Sequence, residues 1–477
     1  MLKNNFIYIM MSLAEKGIMF LLLPIYTAYL SPSDFGAMSL MSLLIMFFSN
    51  FTTSIITILT TRFYYHPDYN IKQLLFLAYI LLIIKLLFFS FVLFAFNDYI
   101  AKNYIEESSL TYFVNLYILV FILSSFGKVF IQIFVMEKQV KFTAKVNTYK
   151  AITLFIVTSS LLFIGEGIYA IVYGLIASWS IQLLFLVPKI SNHLETNFNF
   201  SILKEPLKYS YPLIVSAVSN SLIQLGDRYV IKIILGVGSV GIYSFSYSMA
   251  AIISVLLVMP NKMAMQPIIL AKEAEPDKLK YLLNRYAILY FVFGLIFVLW
   301  FSAFSKDLIY LISSNEEFAQ GWMIIPIIAF AYLLHGLGNY FNFGMALVNK
   351  SYIVSLQTLL VAFTNIGLNF LLIPFFDMIG AALATMFSYI LWNYLQRKNS
   401  KKYYGMNFDL KKFRMLFAVG SISICTIYIL DYYSYNITFK ILFLFIVSFI
   451  LIYKFISVKD KIFFYRKIKE KNWKIKY

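Results

Sequence analysis

The chain has 477 residues, of which 61% are hydrophobic and 13% are charged. A soluble domain is about 45–50% apolar and about 25% charged, so a water-soluble fold could not bury this much apolar surface. The formal net charge of +18 could indicate nucleic-acid binding, but the charges lie between long apolar runs. Composition therefore predicts a chain that crosses a bilayer many times and leaves little length for a soluble domain.

The N-terminal stretch is apolar but does not have the features of a cleaved signal peptide. Glu15 and Lys16 interrupt it and no Ala-x-Ala site follows, so we interpret it as a retained first span. The single cysteine, Cys425, excludes an intrachain disulfide and any Cys-x-x-Cys metal or redox motif. With His66 and His193 in loops, the sequence offers no cluster of metal ligands, and no metal or cofactor is expected.

Hydropathy predicts an all-α polytopic membrane protein with about fourteen spans. The first seven are placed at 6–30, 36–61, 73–96, 110–136, 147–164, 167–188 and 208–235. The second seven are placed at 239–265, 281–304, 322–348, 351–375, 378–396, 413–433 and 437–456.

Lys and Arg are distributed very unequally between the two membrane faces that these spans define. One face holds 30 of the 40 basic residues. It comprises the N-terminus, the even-numbered connections with their flanking span ends, and the C-terminal tail. We call it the basic face. The odd-numbered connections, on what we call the acidic face, hold only Lys102, Lys306 and Lys440. Because cytoplasmic loops are rich in Lys and Arg, both termini are predicted to be cytoplasmic, and nucleic-acid binding is not expected.

Weak internal similarity predicts two six-span halves followed by two extra spans. Gly-Ala-Met-Ser at 36–39 follows the first span as Gly-Ile-Tyr-Ser at 241–244 follows the seventh, at an offset of 205 residues. A second echo, at an offset of 211, relates EGIYA at 166–170 to DMIGA at 377–381. The predicted units are an N-terminal lobe at 1–190, a C-terminal lobe at 206–397, two extra spans at 411–457 and a basic tail at 458–477.

Charged residues within the predicted spans are mostly cations. A charge at mid-bilayer costs a few kcal/mol and persists beside a partner or a wet cavity. This excess favours an anionic, phosphate-bearing cargo over a cationic drug exchanged for protons. The set is Lys16, Lys85, Lys128, Arg228, Lys232, Lys262 and Lys454, against Glu15 and Asp227.

These cations differ in their predicted depth within the membrane. Lys16 lies about 20 Å from the outer end of its helix and Lys85 about 18 Å from the inner end, so neither reaches water easily. Lys128, about 12 Å from the basic end, is intermediate. A pair such as Glu15 with a neighbouring lysine is the structural alternative to a cavity. The remaining lysines, which can extend to the interface, are Lys232, Lys262 and Lys454.

The seventh span carries a polar stripe at four-residue spacing, which places it on one broad helix face. We expect this face to line a cavity, with Asp227 beside Arg228 as a partner or a protonatable group; polar contacts between helices are the alternative. The stripe is Ser216, Asn220, Gln224, Arg228 and Lys232.

Two other spans carry similar stripes of hydroxyl and amide groups, which suit a polyhydroxylated sugar. His335 is the only histidine in a span, and either gating or packing would explain it. The stripes are Asn50, Thr53, Thr57 and Thr61 in the second span and Tyr332, His335, Asn339 and Asn342 in the tenth.

One glycine motif is best explained as a turn. Gly236, Gly238 and Gly241 match G-x-G-x-x-G, but no strand or βαβ unit accompanies them, so dinucleotide binding is excluded and a tight turn between two spans is predicted. No Walker A sequence, D-x-D pair or G-x-S-x-G elbow is present, and no catalytic residue is expected.

Three stretches resemble the polysaccharide transporter family of oligosaccharide-lipid flippases. They are LPIYTAYLSPSDFGAMS at 23–39, YSYPLIVSAVSNSLIQLGDRYVIKIILGVGSVGIYSFSY at 209–247 and IGAALAT at 379–385. The most specific element is Asp227-Arg228-Tyr229, followed after a glycine turn by Gly241-Ile242-Tyr243-Ser244. The resemblance implies the two-lobed fold of multidrug-and-toxin exporters, with a central cavity and alternating access.

The resemblance also implies the cargo, an undecaprenyl-diphosphate-linked repeat unit of O-antigen or capsule, moved across a bacterial cytoplasmic membrane. It makes a glycan polymerase and assembly proteins candidate partners. Basic cavity residues of the family face diphosphate or acidic sugars, and the resemblance extends this role to Lys16 and Arg228. Together with depth and periodicity, it predicts a substrate cavity formed by Glu15, Lys16, Lys85, Lys128, Asn220, Gln224, Asp227, Arg228, His335 and Asn339.

Other functions remain open from the sequence. A relative of the same fold could move the peptidoglycan lipid precursor or export small molecules. A membrane glycan polymerase or glycosyltransferase would also be polytopic, but such enzymes need a sizeable polar loop. The longest connections of the acidic face, around 97–109 and 305–321, are short and net acidic.

Overall fold

The computed structural model describes residues 17–18, 20–196, 198–271, 275–348, 350–433, 435–457 and 460. All regular structure within these ranges is helical. The span helices are α1 (Phe20–Tyr29), α2 (Pro32–Phe63), α3 (Ile71–Ala95), α4 (Thr111–Met136), α5 (Val140–Ile164), α6 (Tyr169–Ile190), α7 (Lys204–Leu235), α8 (Val237–Ala250, continued by Ser254–Val258 and Met259–Ala271), α9 (Pro276–Ala303), α10 (Ile324–Leu347), α11 and α12 (the two arms of Ser351–Tyr404), α13 (Leu410–Tyr432) and α14 (Ile437–Phe455).

These helices confirm the predicted all-α membrane architecture. Eleven described helices are long and apolar enough to cross a bilayer. One of them, Ser351–Tyr404, is broken at Asp377 and holds two of the predicted spans. Helix α7 is not among the eleven because it carries many polar residues, and α1 is short within the described residues. If Ser351–Tyr404 is counted as two spans and α1 and α7 are added, the helices correspond to fourteen spans. Residues 6–16 of the first predicted span lie outside the described ranges.

The link between α1 and α2 follows from local sequence chemistry. Ser31 caps α2, because its Oγ accepts a hydrogen bond from the Asp34 N–H at 3.1 Å. The Asp34 carboxylate accepts one from the Ser31 N–H at 3.0 Å, which completes a capping box. Pro32 occupies the first turn, where its fixed φ suits a helix and its missing N–H is not needed. Helix α2 therefore begins abruptly at the acidic face.

The glycine motif holds the predicted turn at its first residue, whereas Gly238 and Gly241 lie within α8. Gly236 has φ 84° and separates α7 from α8. Glycine is favoured at this position, because a residue with a Cβ atom is strained at positive φ. Two further breaks interrupt helices: α8 passes through a π-helical segment at Ser254–Val258 within its span, and Asp377, with φ 49°, separates α11 from α12.

Helices α1–α6 and α7–α12 form the two lobes. Within the lobes, α4 packs against α2 and α6, and the α11–α12 pair packs against α7 and α10. Helix α2 also packs along α7 and α8, so it forms much of the contact between the lobes. The two extra spans, α13 and α14, pack on α9 at the outside of the C-terminal lobe.

Much of the apolar surface remains exposed on the outer helices. Leu87 and Phe91 on α3 are 68% and 71% exposed, and Phe449 on α14 is 68% exposed. In water such surface would be unfavourable, but in a bilayer it faces lipid. This arrangement accounts for the high hydrophobic content of the chain.

At the basic face, the connection between α6 and α7 is tied to the start of α3. The Glu195 carboxylate accepts hydrogen bonds from Gln73 Nε2 at 2.8 Å and Asn70 Nδ2 at 3.0 Å. These two bonds hold the pKa of Glu195 below its usual range, since they favour the ionised form.

Candidate functional site

A cavity of about 430 Å³ lies at the seam between the lobes, next to α1 and α8. Its walls come from α1, α2, α5, α6 and α8 and are mainly apolar. Tyr26, Ser42 and Ser248 supply the hydroxyl groups among the lining residues. The seam therefore combines a lipid-compatible wall with a few hydrogen-bonding groups.

Asp227 is the centre of a polar cluster that joins several of the described span helices. Its side chain is fully buried, and Asn369 Nδ2 and Thr385 Oγ1 each donate a hydrogen bond to it at 2.9 Å. Tyr243 Oη donates a third at 3.3 Å. The carboxylate therefore joins α7, α8, α11 and α12 at one point. Three hydrogen-bond donors and the neighbouring guanidinium surround it.

Arg228 is enclosed next to this carboxylate. It is 4% exposed, and its Nη1 lies 3.9 Å from Asp227 Oδ2 and donates to the Gln224 carbonyl at 3.2 Å. Its guanidinium carbon lies 4.1 Å from the centre of the Tyr247 ring. Asp227 and Arg228 therefore lie within ion-pair distance of each other, and Arg228 lies inside the C-terminal lobe.

The polar stripe of α7 changes environment along the helix. Asn220 is exposed and Gln224 is half-buried, whereas Arg228 and Lys232 are buried. Near the acidic face, Lys232 forms an ion pair with Glu106 of the N-terminal lobe at 2.9 Å. The stripe is therefore exposed near the middle of α7, and its side chains are enclosed by contacts towards the acidic face.

Lys128 lies inside the N-terminal lobe and is held by hydroxyl groups. Its Nζ donates a hydrogen bond to Ser49 Oγ at 2.9 Å, and Ser125 Oγ lies 3.4 Å from the same oxygen. Among the described residues, no carboxylate forms a salt bridge with Lys128. Its positive charge is thus unbalanced in this part of the chain.

The other predicted cavity residues have different surroundings. Lys85 is half-buried, with its Nζ 5.7 Å from the centre of the Phe51 ring. Glu15 and Lys16 lie outside the described residues. The structure therefore brings Asp227, Arg228 and Gln224 together in the C-terminal lobe, and places Lys85 and Lys128 in the other lobe.

On α10, His335 stacks on Trp392 with ring centres 5.4 Å apart and also contacts Tyr389. Asn339, one turn further along, is half-buried. Lys262 of α8, which hydropathy placed near a span end, is exposed.

The sequence reasoning missed two partners of Asp227. Asn369 and Thr385 belong to α11 and α12, where no stripe was singled out, and only the fold brings them to α7. Their signal was the set of amides and hydroxyls in these two spans, such as Asn365 one turn before Asn369 and Ser388 close to Thr385. Within the described ranges, no three His, Cys, Asp or Glu side chains lie close enough together to hold a metal ion.

The lobes are closed on each other at the acidic face. Ser39 Oγ of α2 donates a hydrogen bond to Ser244 Oγ of α8 at 2.7 Å. The Ser314 N–H donates to Thr27 Oγ1 at 3.2 Å, which links α1 to the connection before α10. Together with the Lys232–Glu106 pair, these contacts join the lobes at three places.

Solved structures with the same arrangement of helices are transporters of lipids or drugs. The lipid II flippase MurJ in an inward closed conformation is 15% identical, with a TM-score of 0.69 over 97% of this chain and 100% of that chain. An inward-facing multidrug resistance MATE family transporter of the MOP superfamily is 13% identical, with a TM-score of 0.64 over 83% and 96% of the two chains. A single-residue mutant of the Vibrio cholerae MATE transporter VcmN is 14% identical, with a TM-score of 0.58 over 84% and 96%.

At these identities the likeness establishes the fold alone. No curated protein sequence matches the chain significantly. A family described as polysaccharide biosynthesis protein matches residues 27–316, which is more than half of the chain. These residues include the N-terminal lobe from α1 onwards, the α7–α8 turn and the Asp227–Arg228 pair. The chain therefore belongs to the family of polysaccharide biosynthesis proteins.

Proposed function

We propose that this protein is a flippase for undecaprenyl-diphosphate-linked oligosaccharides, the repeat units of O-antigen or of a capsular polysaccharide. It would move them from the cytoplasmic to the outer leaflet of a bacterial cytoplasmic membrane. Membership of a polysaccharide biosynthesis family supports the substrate class, and the fold, shared with a lipid II flippase and with MATE transporters, supports transport rather than catalysis.

The observation that carries the proposal is the unbalanced charge of Lys128 within the membrane. Its ammonium is bonded to a serine hydroxyl, and no described carboxylate pairs with it. A half-buried cation within a membrane span is costly unless an anion or water meets it. A diphosphate linkage or an acidic sugar is an anion that a lipid-linked glycan would bring into the seam.

Other residues support a polar headgroup path. Asn220 of α7 and Lys262 of α8 are exposed although both lie in membrane helices. An amide facing lipid would be unfavourable, so an open polar space between the lobes explains Asn220 better. In this proposal Lys128 and Lys262 bind anionic groups and amides bind sugar hydroxyls. The family resemblance adds Lys16 to these anion-binding residues. Arg228 instead balances the charge of Asp227.

The transport cycle follows from the two lobes. The headgroup would occupy the seam while the polyprenyl tail stays in lipid, and rocking of the lobes would expose the site to either face. The excess of Lys and Arg on one face supports an orientation with both termini in the cytoplasm. The contacts between the lobes at the acidic face would then have to separate during each cycle.

Surface-glycan display in a strain lacking its own repeat-unit flippase tests the proposal. The Lys128→Gln variant keeps a hydrogen-bond donor for Ser49 but loses the charge. We expect it to reduce display about tenfold or more at equal protein level, since a charge-assisted contact contributes about 1.5–3 kcal/mol. Lys454→Gln is the matched control, because Lys454 is an exposed lysine of α14, outside both lobes.

Parallel assays distinguish the alternatives. Rescue of a strain that lacks its peptidoglycan-precursor flippase, without rescue of glycan display, would favour the precursor as cargo. Sugar transfer by the purified protein would favour a polymerase or glycosyltransferase. Full glycan display by Lys128→Gln would remove the observation on which the proposal rests.

A further inference from the structure

Two of the three basic residues of the acidic face converge on Asp431, at the end of α13. Lys440 forms an ion pair with the Asp431 carboxylate, and Lys306 Nζ donates a hydrogen bond to the Asp431 carbonyl at 3.3 Å. Asp431 and Lys440 are 2% and 7% exposed, so their charges balance each other inside the protein. Lys306 is half-buried and forms no ion pair with a described residue. Lys306 therefore presents an ammonium group that pairs with no described carboxylate.

A groove of about 470 Å³ lies beside this cluster, lined in part by Tyr432 and Tyr433 next to Asp431. Met323 and Ile327 at the start of α10, Ile379 at the start of α12 and Ile429 of α13 form its apolar lining, together with tyrosines of α13. The volume is within the range of small-molecule sites, about 300–1,000 Å³. Its chemistry suits a hydrocarbon chain.

Aromatic side chains connect the lysine to the groove. Lys306 Nζ lies 5.4 Å from the centre of the Trp322 ring, and that ring lies 5.8 Å from Tyr428, which lines the groove. Trp and Tyr are enriched at the level of lipid headgroups. The groove therefore starts at headgroup level, with an ammonium group at its rim and an apolar floor below.

The α12 side of the groove carries the opposite charge. Asp377 lies two residues before the lining residue Ile379, is exposed and forms no ion pair with a described residue. The rest of the acidic face is also rich in carboxylates, which disfavours a lipid of net negative charge. A headgroup with a phosphate and a primary ammonium matches a lysine on one side and an aspartate on the other.

We propose that this groove binds one molecule of phosphatidylethanolamine from the leaflet at the acidic face. An acyl chain lies along the apolar floor, the phosphate contacts Lys306 and the ammonium contacts Asp377. This site is separate from the seam between the lobes and does not depend on which cargo the seam carries.

Lipid titration of the delipidated full-length protein, followed by native mass spectrometry, tests the site. The probes are phosphatidylethanolamine, phosphatidylcholine and phosphatidylglycerol with identical acyl chains. The wild type should bind phosphatidylethanolamine more tightly than the other two, because only its headgroup offers both a phosphate and N–H donors. Lys306→Gln should weaken phosphatidylethanolamine binding about tenfold, the size expected for one charge-assisted contact.

Matched variants keep the outcome interpretable. Lys102→Gln removes another cation of the same face and should leave lipid binding unchanged, whereas Lys306→Arg should retain it. Asp377→Asn should remove the preference for phosphatidylethanolamine over phosphatidylcholine while both still bind. Equal binding of the three lipids by the wild type, or equal losses for Lys306→Gln and Lys102→Gln, would overturn the proposal.

Discussion

Ser39 and Ser244 are bonded to each other through their Oγ atoms at 2.7 Å, and they occupy the same position in the two halves of the chain. The similar segments at 36–39 and 241–244 are related by an offset of 205 residues, which is the separation of these two serines. Neighbouring residues make contacts that are related by the same offset. A Cβ atom at Gly36 would lie 2.1 Å from the Val237 carbonyl oxygen, and one at Gly241 would lie 1.9 Å from that of Pro32, the equivalent residue. Such reciprocal contacts place this junction of α2 and α8 on the pseudo-two-fold axis between the lobes.

The first prediction uses this pair to lock the lobes. In a Cys425→Ser background, the Ser39→Cys/Ser244→Cys double variant should form a disulfide, because the two Oγ atoms are already in contact. If the lobes must separate there to release cargo, oxidation should lower flipping in proteoliposomes about tenfold or more, and a reductant should restore it. Each single variant is the control. A double variant that is fully oxidised and still transports at the wild-type rate would contradict a moving junction.

The second prediction concerns the close approach of α2 and α8. Gly241→Ala would place a methyl group against the Pro32 backbone, which cannot shift as a flexible side chain could. We expect a loss of about 1–3 kcal/mol in stability, typical of overpacking, measured as a lower unfolding temperature in detergent. Gly238→Ala is the matched control, since its Cβ would meet only Ser33 Oγ at 3.5 Å. Equal unfolding temperatures for the two variants would argue against the tight junction.

The sequence was sufficient to predict the spans because each is a separate apolar run and the charges alternate between faces. Helix α7 is the least clear of these runs: its polar stripe keeps it outside the eleven helices that qualify by length and composition, yet it occupies the position of a span that hydropathy predicts at 208–235. The repeat at 36–39 and 241–244 was also visible. The repeat shows that the two segments occupy equivalent positions in the two halves. It does not show that they are in contact.

The candidate site was only partly predictable. A stripe at four-residue spacing shows that Asn220 and Arg228 lie on related faces of α7, but not what covers each of them. Asn369 and Thr385 are more than 140 residues away in sequence and reach Asp227 only through the packing of α11 and α12. Local pattern therefore identified the polar helix, whereas tertiary packing determined which of its residues are enclosed.

The third prediction tests the ion pair between the lobes. Glu106→Gln removes the carboxylate that binds Lys232, leaving that ammonium with the Asn103 carbonyl at 2.6 Å. A partly exposed pair contributes up to about 1 kcal/mol, so opening at the acidic face should become up to about fivefold more frequent. The readout is the rate at which an impermeant maleimide added at that face labels Ser248→Cys, a seam residue, in the Cys425→Ser background. Glu107→Gln is the control, because Glu107 accepts a hydrogen bond from Ser109 and does not pair with Lys232.

The fourth prediction concerns the buried pair that fixes α13 to α14. Asp431→Asn would leave the Lys440 ammonium enclosed without its counter-charge, and breaking a buried pair in this way costs about 3–5 kcal/mol. The unfolding temperature of the purified protein should therefore fall clearly. Replacing both partners by apolar residues, Asp431→Leu/Lys440→Met, should recover much of the loss, since no isolated charge then remains. Lys278→Gln, which breaks the exposed pair with Glu275, should have little effect, up to about 1 kcal/mol. If Asp431→Asn proves as mild as Lys278→Gln, the pair does not stabilise the packing of the two extra spans.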